Sequence, residues 1–184
     1  MPTFFIAFWL SSAIGPVGGG RCGAALSGSR HEKLLDDLKR IASRFAEEVG
    51  VELVDLTLRG SGKRRRLRVD IDRCGAESVT LEDCQEVSRG LGEAIEAAEL
   101  IPGSYVLEVS SPGADRPIRT VDDIRRNTGR RIIVNTAEPI GGRRSFKGLL
   151  LGGENGSLKL AEEGDGEVII PLGKVQIARQ DIGI

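Results

Sequence analysis

The residues best placed to do chemistry lie in Ser110-Ser111-Pro112-Gly113-Ala114-Asp115-Arg116-Pro117. Two hydroxyls, a carboxylate and a guanidinium follow one another around a turn. Pro112 presets φ at its first corner, and Gly113 supplies the positive φ of a type II second corner. A nucleophilic Ser110 or Ser111 needs a base. The only histidine, His31, stands at the start of the first helical pattern, and no G-x-S-x-G elbow is present. A Ser/Lys hydrolase is the remaining catalytic alternative, and a serine-reactive probe tests it.

A second chemistry belongs to cations on turns. Lys63, Arg64, Arg65, Arg66 and Arg68 crowd one hairpin. Arg116, Arg119, Arg125, Arg126, Arg130 and Arg131 surround the Pro-Gly turn and a short helix, and Arg143, Arg144 and Lys147 mark another hairpin. Guanidinium forks match phosphate oxygens, and glycine-rich tips let them approach closely. The competing reading of each cluster is a solvated charge run. Gly60-Ser61-Gly62-Lys63 is no phosphate loop: the G-x-x-x-x-G-K-[ST] spacing is missing, Arg64 replaces the Ser/Thr, and a strand follows.

The chain has 184 residues, 26 basic and 27 acidic. Nucleic-acid binding must therefore come from local clusters rather than from a globally basic surface. Residues 31–110 hold 12 basic and 17 acidic side chains, and residues 111–184 hold 12 and 10. Cys22, Cys74 and Cys84 are odd in number and lack C-x-x-C spacing, which argues against a disulfide framework, a zinc site or any other metal. Beyond residue 9 the only aromatics are Phe45, Tyr105 and Phe146, too few to stack splayed bases, so RNA contact is expected to read shape and phosphate.

These groups need elements to position them. Residues 1–30 read as a disordered or misassigned extension. Phe4–Ile14 is too short to span a membrane, and no basic residue precedes it as in an export signal. His31–Val49 has the apolar spacing of an amphipathic helix ended by Gly50. Glu52–Arg59 and Arg66–Asp72 alternate as strands around Gly60-Ser61-Gly62. Arg66, Arg68, Asp70 and Asp72 share the face away from Leu67, Val69 and Ile71, which reads as solvated. Thr80 with Asp83 caps a second helix, Leu81–Ala98, whose Cys84 lies on the apolar stripe as a small core residue. Tyr105–Ser110 alternates as the third strand of a three-stranded sheet. After Pro117 a helical turn capped by Thr120 and Asp123 precedes five short strand patterns: Arg131–Thr136, Arg144–Leu151, Ser157–Ala161, Glu167–Pro171 and Lys174–Ala178.

The expected fold is α+β. An N-terminal α-β-β-α-β two-layer domain spans residues 31–111, and residues 112–119 link it to a small SH3-like or Sm-like β-barrel over residues 120–184.

Several segments resemble the ribosome maturation factor RimP family. They are Leu67-Arg68-Val69, Ile71-Asp72, Thr80-Leu81-Glu82-Asp83-Cys84, Val87-Ser88-Arg89, Tyr105, Leu107–Gly113 with Asp115-Arg116-Pro117, and Gly142–Gly148. They run in order through roughly residues 31–180; Asp70 stands where the family often has an aromatic. The resemblance implies a non-enzymatic cytoplasmic protein, without a cofactor or small-molecule substrate. It would bind the free small (30S) ribosomal subunit and assist its late assembly, with 16S rRNA and small-subunit ribosomal proteins as partners and no membrane. A monomer is expected. The candidate contact residues are Ser110, Ser111, Asp115 and Arg116, with Arg143, Arg144 and Lys147, and with Lys63, Arg64 and Arg65. Asp115 is expected to orient Arg116 or to cap the short helix. The alternative is a stand-alone Sm-like or KH-like RNA-binding regulator that does not act on the ribosome.

Overall fold

Leu38, Ala42 and Ala46 recur on one side of the first helix, α1 (Ser27–Val49), and are fully buried. Gly50 ends the helix at φ +80°, where a side chain would be strained, and Val51 N–H reaches back to the Ala46 carbonyl at 2.9 Å. The computed structural model describes residues 7–8, 27–164 and 166–182. Apart from Ala7–Phe8 (β1) and the start of α1, the expected N-terminal extension lies outside them.

The described chain divides into two units. The first takes the residues through Asp72 and Val79–Ser111; the second takes Arg73–Ser78 and the chain from Pro112 on. In the first unit, β2 (Glu52–Arg59) and β3 (Arg65–Asp72) form an antiparallel hairpin. β3 then connects through α2 (Leu81–Ala97) to β4 (Tyr105–Ser110), which lies parallel to it. A parallel neighbour requires such a crossover, and α2 supplies it. Leu67, Val69 and Ile71 of β3 are fully buried under Val87 and Leu91 of α2 and the α1 stripe. Gly90 lets the two helices meet: a Cβ there would lie 2.6 Å from the Phe45 ring. The capping box at Thr80 forms as expected, with Asp83 N–H to the Thr80 hydroxyl at 3.2 Å and Thr80 N–H to the Asp83 carboxylate at 2.8 Å.

Two sequence expectations for this unit need correction. The sheet has four strands, in the order β1-β4-β3-β2, because Ala7–Phe8 pair antiparallel with Glu108 and Leu107. The β3 carboxylates expected on a solvated face are buried instead: Asp70 is 8% and Asp72 7% exposed.

In the second unit, α3 (Val121–Asn127) carries the Thr120/Asp123 capping box. Five strands follow: β5 (Arg131–Ile140), β6 (Arg143–Glu154), β7 (Ser157–Glu162), β8 (Gly166–Pro171) and β9 (Val175–Gln180). Their order is β8-β7-β6-β5-β9. Among the described residues no ladder joins β8 to β9, so closure of the expected barrel is not shown by the strand pairing; the two are connected by a 3-10 turn at Leu172–Lys174. Ile132, Val134, Phe146, Leu150, Leu158, Leu160 and Ile170 alternate into its core, joined by Ile118 and Ile124. Gly148 is required by close approach: a Cβ on it would stand 2.3 Å from the Ala161 carbonyl oxygen of β7. The architecture is mixed α+β.

Candidate functional site

Ser110 ends β4 directly opposite Asp70 of β3, and its hydroxyl donates to the Asp70 carboxylate at 3.1 Å. Arg68, two residues before Asp70 on the same face, donates Nε–H to the same oxygen at 2.9 Å. A carboxylate held between a hydroxyl and a guanidinium is a satisfied buried charge. Its role toward Ser110 is to fix the hydroxyl. A Ser110–Asp70 pair without an imidazole does not generate a nucleophile. Ser111 is exposed beside it. Cys84 sits where the apolar stripe placed it, and burial, with Asp83 adjacent, pushes its thiol pKa up, away from a reactive thiolate.

Gly113 has the positive φ that the turn demands, at +78°. Beyond it the expected Asp115–Arg116 partnership is replaced by two others. The Asp115 side chain, 97% exposed, faces Arg179 of β9 at 3.5 Å, whereas Arg116 Nε lies 4.0 Å from Asp123. The α3 cap belongs to Thr120 and Asp123, not to Asp115. Asp123 accepts from the Arg119 and Thr120 backbone N–H groups at 3.1 and 2.9 Å, and from Arg126 at 3.0 Å. Burial works against its charge, but the N–H and hydroxyl groups of Thr120, the Arg119 N–H and the Arg126 guanidinium outweigh it. They hold the carboxyl at a pKa of about 2.

Of the arginines around α3, which the sequence groups as one phosphate-facing cluster, Arg125, Arg126 and Arg130 are engaged with the chain itself. Arg130 donates to the carbonyls of Gly75, Arg73 and Glu77 at 2.6, 2.8 and 2.7 Å. Gly75 N–H returns a bond to the Arg126 carbonyl at 3.0 Å, and Arg125 reaches Cys74 Sγ at 2.9 Å. One guanidinium thus gathers a whole loop. Nothing in the spacing of Arg130 foretells this, because its partners are backbone carbonyls 53 to 57 residues away.

The two hairpins differ. At the β2–β3 turn, Arg64 is exposed in a 3-10 turn, while Arg65 is tied to the Pro102 carbonyl at 2.7 Å; the Lys63 side chain lies outside the described residues. At the β5–β6 turn, Arg143 pairs with Glu162 at 2.7 Å and lies 5.2 Å from the Phe146 ring centroid. Arg144 and Lys147 project from β6, exposed. The sequence missed Arg59, which joins Arg66 and Arg68 around a concave patch on the sheet, lined also by Asp55, Asp70 and Glu108. A strict alternation from Asp55 to Arg59 was the available signal.

These features define a two-unit α+β protein whose charged groups gather on hairpins and on a sheet face, with Ser110 and Cys84 in structural settings. Residues 41–115 match the family model described as the RimP N-terminal domain. Over that stretch, which is less than half of the chain, the protein is similar to the N-terminal domain of the RimP ribosome maturation factors.

Proposed function

We propose that this chain is a non-catalytic cytoplasmic assembly factor that binds the free small ribosomal subunit and assists its late maturation, contacting 16S rRNA and small-subunit proteins as a monomer. The observation that carries the reading is the RimP N-terminal domain match over residues 41–115. Exposed cations in the described structure agree with it: Arg64 on the first hairpin, and Arg144 and Lys147 on the second. The five-strand order ending in β9 beside β5 is compatible with an SH3-like barrel as the second unit. Among the described residues no helix is long and apolar enough to cross a membrane.

Gradient sedimentation of cell extract tests the proposal. The protein is expected to co-migrate with the free small subunit and to be depleted from mature ribosomes. Stable expression with no protein in the small-subunit fraction overturns it. Salt-sensitive binding to small RNAs in that case assigns the chain to the stand-alone regulator class.

A further inference from the structure

Like charges face one another across the β2–β3 hairpin, on the side of the sheet away from the helices. Arg59 is directly opposite Arg66, Asp55 opposite Asp70, and Glu52 opposite Asp72. Directly opposed like charges destabilise a sheet, and exchanging one residue of each pair would relieve the repulsion. The arrangement segregates the face instead. Three arginines, Arg59, Arg66 and Arg68, occupy the hairpin end with Glu108 of β4 beside them, and the β2 and β3 carboxylates occupy the far end. At the far end Asp70 and Asp72 are below a tenth exposed, Glu52 is half-buried and Asp55 is exposed. The arginine end is open: the Arg66 and Arg68 side chains are 63% and 43% exposed. Glu108 answers Arg66 at 3.2 Å, and Arg68 is held by Asp70, but Arg59 has no ion pair among the described residues.

We propose that the Arg59–Arg66–Arg68 end of this sheet binds the sugar–phosphate backbone of double-helical RNA, by charge and shape and without reading base sequence. The inference rests on the ribosomal reading above and names a surface for it. Three observations favour the backbone of double-helical RNA over a protein partner or a splayed single strand. Protein interfaces are anchored by apolar and aromatic side chains at their centre, and the patch is lined only by charged and polar residues. The absence of an aromatic likewise removes base stacking, the usual means of holding a splayed single strand. Arg66 and Arg68, two residues apart on one face, start from backbone positions about 6.7 Å apart along the strand, far enough for two long side chains to engage different phosphates. The carboxylate end repels phosphates, so the RNA backbone crosses the hairpin end rather than running along the strands.

The test uses the full chain and a 16-base-pair RNA duplex of arbitrary sequence, with binding followed by fluorescence anisotropy between 50 and 200 mM salt. Arg59→Ala/Arg66→Ala is expected to weaken binding at 50 mM salt at least about tenfold and to flatten the log–log salt slope by about 1.4–1.8, at roughly 0.7–0.9 per lost phosphate contact. Arg59→Lys/Arg66→Lys, which keeps the charges, restores most of the slope, and Glu108→Gln tightens binding. Unchanged affinity and slope in the alanine pair overturn the site, as does preferential binding of a polyglutamate peptide, which would assign the face to an acidic protein. Sedimentation separates the two readings. Wild-type protein absent from the small-subunit fraction defeats the ribosomal proposal, whereas wild type and alanine pair bound there equally defeat only this surface.

Discussion

The Ser110 hydroxyl donates to the Asp70 carboxylate 3.1 Å away, across two parallel strands and 40 residues of chain. Both residues are buried, and Arg68 completes the arrangement on the other side of the same oxygen. The serine that invites a catalytic reading is thereby a structural donor to a buried charge. Ser110→Ala removes one charge-assisted bond and should cost about 1–2 kcal/mol in urea unfolding. Asp70→Asn in the same background should add less than its cost alone, since both changes remove the same contact. Strict additivity would contradict the pairing. A serine-reactive probe should leave Ser110 unlabelled.

Gly148 and Gly153 on β6 make a matched pair of tests. A methyl group at Gly148 meets the Ala161 carbonyl oxygen at 2.3 Å, and the ladder partner can retreat only by breaking β6–β7 pairing. At Gly153 it meets the Ile124 Cγ2 at 2.9 Å and the Ser157 carbonyl at 3.1 Å, where a rotamer change of Ile124 relieves the closer contact. Gly148→Ala should therefore destabilise the second unit by about 3 kcal/mol or more, and Gly153→Ala by about half as much. Circular dichroism melts of the full chain give the ranking.

Asp123 predicts an acid limb. Its folded pKa of about 2 lies below its ordinary value of 3.8. Its contribution is fully present above the unfolded pKa and is lost as pH falls through the folded one, so the window runs from about pH 4 down to about pH 2. The shift corresponds to roughly 1–2 kcal/mol once solvent screening is allowed for. Asp123→Asn should lose that amount at pH 7, and its deficit against wild type should shrink steadily as the solution is acidified below pH 4. A deficit independent of pH would mean that the cap geometry alone, and not the charge, carries the effect.

Arg130 gathers the carbonyls of Arg73, Gly75 and Glu77 with a planar fork, a geometry that an ammonium cannot copy. Arg130→Lys should lose most of what Arg130→Ala loses, about 1.5–3 kcal/mol of stability by urea denaturation. Full retention of stability in the lysine variant would show that charge, not the fork, is what matters.

Arg116 gives the complementary case. Its nearest carboxylate is 4.0 Å away and its side chain is 35% exposed, so Arg116→Ala should cost no more than about 0.5–1 kcal/mol. Binding to the small subunit should nonetheless fall. Lost stability with retained particle binding would make Arg116 a structural residue only.

Much of this molecule is written in short-range signals. The 3.6-residue apolar stripes of α1 and α2, the alternation of β2 to β4 and the two Thr-x-x-Asp caps depend on neighbours within four residues, so the sequence alone determines them. The positive φ at Gly113 follows from residue type in the same way. So does the motif order that resembles RimP, which the matched N-terminal domain bears out over residues 41–115. What tertiary structure decides is which side chain meets which. Asp115 turns to Arg179 and Arg116 towards Asp123, Arg130 spends its donors on a loop more than 50 residues earlier, and Asp70 is buried on a face that alternation alone reads as solvated. Strand register places Arg59 opposite Arg66 and Asp55 opposite Asp70. The pairing of distant groups depends on register and packing between elements, and sequence periodicity specifies faces but not partners.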